Sequence, residues 1–133
     1  SIQRTLESNN IKFFSRINKN QVQDFLNYCD VCYVGRHKSK LYKHGVSANK
    51  YFDYMLSKKA IISSTAPIQD PVELSGCGLV VTPESSESIV KAILELKLKS
   101  KNELEALGEL GYQYLQKEHS IKNLAIKYES IMA

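Results

Sequence analysis

The chain has 133 residues, enough for one domain with a real core. Its 43% apolar and 24% charged residues are those of a globular protein, which excludes a disordered tail or a fibrous repeat. No apolar run approaches the length of a membrane span, and a net charge of +4 leans towards anionic partners.

Ile2 and Leu6 fit one turn of helix, which Asn9 and Asn10 end. The opening SIQRTLESNN reads as the end of a helix, so a C-terminal piece of a longer protein is expected. Residues 11–17 (IKFFSRI) read as the first strand. Residues 19–27 are helical, with Val22, Phe25, Leu26 and Cys29 on one face. Residues 30–35 (DVCYVG) read as a second strand, and their nearly continuous apolar character suits cover on both sides. Cys29 and Cys32 form a C-x-x-C, but at a helix-to-strand junction, and only Cys77 remains to complete a zinc site. They read as buried thiols in a reducing compartment, with no metal.

Arg36, His37, Lys38, Lys40, Lys43 and His44 then fall in one short span. Such a cluster attracts anions: a nucleotide diphosphate, an acidic membrane surface or a nucleic acid. No nucleic-acid motif accompanies it, and the aromatic residues are not spaced as a stacking platform. The plainer reading is a solvated basic loop.

The stretch HGVSANKYFDYMLS (44–57) organises the rest. Gly45 permits a turn that other residues resist. Ser47 can cap a helix through its hydroxyl. From Ala48 onward, Ala48, Tyr51, Phe52 and Met55 share one face at helical spacing and should pack inward. Asn49 and Asp53 lie on another face. The free N–H groups and dipole of the helix start suit a phosphate, and Lys50 adds a cation there. Asp53, one turn on, can accept hydrogen bonds from two vicinal hydroxyls, as on a ribose. The plainer reading here is a well-capped amphipathic helix.

Residues 59–64 (KAIISS) read as a third strand, 63–71 as a loop, 71–74 as a short helical turn, and 76–82 (GCGLVVT) as a fourth strand. Ser85 or Ser86 caps a helix whose apolar residues are Ile89, Val90, Ile93, Leu94 and Leu96. Leu104, Leu107, Leu110, Gly111, Tyr114 and Leu115 stripe the next helix. Ile121, Leu124, Ala125, Tyr128, Ile131 and Met132 stripe a last one, capped by Ser120. Strands alternating with helices predict an α/β fold with a parallel sheet and ligands at the carboxyl ends of its strands. That edge would carry Ser15, Arg16 and Ile17, then Gly35 and Arg36, then Ser63 and Ser64, then Pro83 and Glu84.

The run GVSANKYFDYM, the strand Lys59–Ala60–Ile61–Ile62, then GCGLVV and PESSESIVKAI resemble the C-terminal domain of family 4 retaining glycosyltransferases. The likeness spans the whole chain and lies nearest the bacterial surface-polysaccharide branch, including fucosamine transferases. It implies a single Rossmann-like three-layer domain over residues 1–133, one half of a GT-B enzyme, with its first βα units missing and a helical C-terminus. It implies a nucleoside-diphosphate sugar, UDP-linked, as donor substrate, with no cofactor and no obligatory metal. Gly45, Val46, Ser47, Ala48, Asn49 and Lys50 would meet the diphosphate, Asp53 the ribose, and Ser15, Arg16 and Ile17 the base. His37 and His44 would do no more than touch phosphate.

Asp53 matches the second glutamate of the family's paired-glutamate motif, and Gly45 stands where the first would fall. No catalytic residue is assigned within this chain. An acceptor-binding N-terminal domain, and a lipid-linked saccharide acceptor at the cytoplasmic face of the inner membrane, are the implied partners. The missing strands leave a gap that direct pairing, swapping or dimerisation would close. A non-catalytic interaction module and part of a sugar-nucleotide epimerase are the alternative functions.

Overall fold

A computed structural model describes residues 10–35, 49–65, 69–118, 125–126 and 129–130. Helix α1 (Val22–Leu26) precedes strand β1 (Val31–Gly35), α2 (Asn49–Leu56), β2 (Ala60–Ser64), α3 (Pro71–Ser75), β3 (Gly78–Val80), α4 (Ser86–Lys97) and α5 (Lys101–Glu118). The strands form one parallel sheet in the order β1-β2-β3. Val31 stands opposite Ala60 and Gly35 opposite Ser64, while Ile61 stands opposite Gly78. Parallel neighbours need a crossover between them, and α2 and α3 supply the two. The fold is therefore α/β with a small open parallel sheet.

Side chains of a strand alternate between its faces, so this register sorts the core into two layers. Val34 and Ile61 pack with Tyr51, Met55, Val72 and Cys77 on one face. Ile62 packs with Ala92 and Leu96 on the other, flanked by Val31, Leu79 and Leu107. The strand buried on both faces is β2, all five of whose residues are buried. Strand β1, whose apolar run suits cover on both sides, instead alternates and leaves Tyr33 47% exposed. Position in the sheet decides this: β1 has one neighbouring strand among the described residues and β2 has two.

Helix α5 runs along the amino edge of the sheet and touches both layers, through Leu104 and Leu107 on one side and Tyr114 and Leu115 on the other. Two glycines allow this. A Cβ at Gly108 would strike the Lys58 carbonyl, and one at Gly111 would lie 3.0 Å from Cys77 Cβ. Lys58 has a left-handed φ of 57°, and its Nζ sits 3.3 Å from Glu109 Oε2 and 4.5 Å from the Tyr112 ring centre. The inward row of α5 thus runs through Gly108 and Gly111, and Leu110, expected in the stripe, is 46% exposed.

Two further expectations need correction. Residues 12–18 form no strand: only Ile11 makes a single bridge, and residues 11–18 are all exposed. A strand is stable only against a partner, and 12–18 find none among the described residues; Phe14 packs edge-on against Phe25 of α1 instead, 5.5 Å between centroids. In α4, Val90, Ile93 and Leu94 are about half exposed, while the buried residues are Ala92 and Leu96. With three strands beneath it, α4 covers the sheet with one narrow stripe rather than the wide one expected. The last helix lies mostly outside the described residues. No helix among the described residues is long and apolar enough to cross a membrane.

Candidate functional site

With α5 at the amino edge, the carboxyl edge is where a ligand would meet the parallel sheet. Of the phosphate-binding set, Gly45, Val46, Ser47 and Ala48 lie outside the described residues, as do His37, His44 and the rest of the basic span. Asn49 opens α2, and Lys50 beside it is exposed. Tyr51 and Met55 are buried at 1% and 0%, as the helical spacing predicts, while Phe52, expected on the same inward face, is only half-buried. Asp53 is half-buried. Among the described residues its carboxylate makes no ion pair or hydrogen bond. Ser15, Arg16 and Ile17 are exposed on irregular backbone rather than at a strand end, so the structure does not bring them to the sheet edge as strand residues.

What the structure adds is a set of buried hydroxyls where β2 ends. Tyr51 Oη lies 2.9 Å from Ser63 Oγ and 2.8 Å from Thr65 Oγ1. Ser63 Oγ donates to Asp70 Oδ2 at 2.6 Å, and the Val72 N–H donates to Asp70 Oδ1 at 2.8 Å. Asp70 is 2% exposed and caps α3, with Pro71 at the first helical position. Ser63 and Thr65 stand 3.3 Å apart. Of these contacts the one between Ser63 and Thr65 is the longest. With Ser63 donating to the carboxylate, an order in which Thr65 donates to Tyr51 and Tyr51 to Ser63 satisfies the three short contacts. Every buried side-chain N and O atom among the described residues has a partner. On the opposite sheet face Tyr33 Oη meets Ser64 Oγ at 2.6 Å.

A second tie holds α2 from the side of α1. Gln23 Nε2 donates to the Asp53 carbonyl at 3.2 Å, and Gln23 Oε1 accepts from Ser57 Oγ at 2.6 Å. Neither Gln23 nor Asp70 was singled out from the sequence. Asp70 did carry a signal, because Asp before Pro is the pattern of a helix cap followed by a first-turn proline. Gln23 carried none, since its partners are 30 and 34 residues away.

The cysteines are all free; Cys32 and Cys77 are buried and Cys29 is partly buried. Burial, with the Cys29 thiol nearby and only partly offset by Lys59, pushes the Cys32 thiol up to about 12. Burial also raises Cys77. A raised thiol stays protonated and unreactive near neutral pH. A thiol reagent at pH 8 should therefore modify Cys29 first in the native protein, and all three cysteines only in urea. Fast modification of two or three native thiols would contradict this packing. Among the described residues no group of three or more His, Cys, Asp or Glu converges to hold a metal ion.

Among the described residues the arrangement offers a half-buried carboxylate and an exposed lysine on α2, and a buried hydroxyl network where β2 ends. No protein-family model, no curated protein and no solved structure matches the chain.

Proposed function

We propose that this chain is the donor-binding part of a retaining glycosyltransferase of bacterial surface-polysaccharide synthesis, holding a UDP-linked sugar in a GT-B, Rossmann-like domain. The observation that carries the reading is the split character of α2. Its Tyr51 and Met55 anchor it in the core, while Asp53 keeps its carboxylate unpaired among the described residues and Lys50 stays exposed. In this reading the ribose hydroxyls donate to Asp53, and the diphosphate sits ahead of Asn49 and Lys50. The departing diphosphate would be stabilised by backbone N–H groups and cations rather than by a bound metal. The acceptor domain and the lipid-linked acceptor are partners of the complete enzyme. The place of action is then the cytoplasmic side of the inner membrane.

Titration calorimetry with UDP tests this. Wild-type protein should bind, and Asp53→Asn should bind roughly ten- to a hundredfold more weakly, the worth of hydrogen bonds to a charged acceptor. No heat with UDP or UDP-sugars at millimolar concentration, from protein whose circular dichroism shows it folded, would overturn the reading. Gly45 favours a second one, because the resemblance expects a carboxylate there. A domain that binds the nucleotide without supporting transfer would show UDP affinity but no turnover once joined to its acceptor domain.

A further inference from the structure

We infer that Tyr51, Thr65, Ser63 and Asp70 are positioning residues, a hydroxyl relay that fixes the first turn of α2 against the end of β2 and so sets where Lys50 and Asp53 stand. What is positioned rests on the donor-binding reading; the mechanical coupling does not. Tyr51 lies between the two site residues in sequence, one before and two after. Its ring is held by the core and its hydroxyl by Ser63 and Thr65, both buried. Ser63 passes the restraint to Asp70, whose other oxygen is fixed by the start of α3. Two chain segments that reach the carboxyl edge separately, the start of α2 and the connection from β2 to α3, thereby share one polar anchor. Apolar packing alone would let a short helix slide along its axis; directional bonds of 2.6–2.9 Å oppose that.

The test compares wild type with Tyr51→Phe and Thr65→Val, which remove one hydroxyl each with little change of shape, and with Thr65→Ser, which keeps the hydroxyl. Two readouts are taken well below every melting temperature: the Kd for UDP, and hydrogen exchange of the amides at 53–55 and at 61–62. Tyr51→Phe and Thr65→Val should each weaken UDP about five- to tenfold, the worth of one hydrogen bond. They should speed exchange at 53–55 and leave 61–62 protected, and Thr65→Ser should behave as wild type in both. Unchanged exchange at 53–55 overturns the inference, and so does equal loss at 61–62, which would mean general destabilisation. A loosened α2 with an unmoved Kd overturns it as well. If exchange responds as expected but wild type does not bind UDP, the coupling stands and the donor-binding reading falls.

Discussion

Gly108→Ala is expected to destabilise the protein by about 2–3 kcal/mol, read as a lower urea midpoint at an unchanged slope. The sign is not obvious from sequence. In a solvent-exposed helix the change would stabilise by about 1 kcal/mol, because alanine is the better helix former. Here the new methyl would run into the Lys58 carbonyl, which is backbone and is held in place by the turn between α2 and β2. Lys59 N–H bonds the Tyr54 carbonyl at 3.2 Å and Lys58 N–H bonds the Met55 carbonyl at 3.0 Å, so the turn cannot retreat cheaply. Helix α5 must move away instead, and Tyr114 and Leu115 lose contact with the core. The overpacking term therefore exceeds the propensity gain. Gly111→Ala should cost less, since its nearest neighbour is the Cys77 side chain at 3.0 Å rather than backbone. A Gly108→Ala protein as stable as wild type would mean that α5 does not dock on Lys58.

Asp70→Ala should cost about 2–4 kcal/mol, and Asp70→Asn clearly less, again by urea denaturation. Alanine strands two buried donors at once, the Ser63 hydroxyl and the Val72 N–H, and removes the cap of α3. Asparagine can serve both neighbours by reversing the relay. Its Oδ1 accepts from Val72, its Nδ2 donates to Ser63, Ser63 then donates to Tyr51, and Tyr51 to Thr65. Each contact keeps one proton and one acceptor, so the network survives with its polarity inverted. Equal losses for the two variants would show that the carboxylate charge, not the pattern of donors, holds this region together.

The sequence alone was enough for the α/β class, the parallel sheet and the positions of β1, α2, β2 and α4. These rest on local signals: apolar runs for strands, a period near four for helices, and Ser85 at its cap position. It also placed Tyr51 and Met55 inward, because helical spacing alone puts them on one face.

Only the tertiary structure decided the rest, since the deciding partners are remote in the chain. Residues 11–17 have the composition of a strand but no neighbouring strand among the described residues, and a strand exists only by pairing. Which strand lies in the middle, and hence is buried on both faces, depends on sheet order, which periodicity does not encode. The approach of Gly108 to Lys58 and the grip of Gln23 on Asp53 and Ser57 are meetings of this kind. So is the relay from Thr65 through Tyr51 and Ser63 to Asp70. Local sequence sets which way a side chain faces along its own element; what it faces is set by how the elements pack.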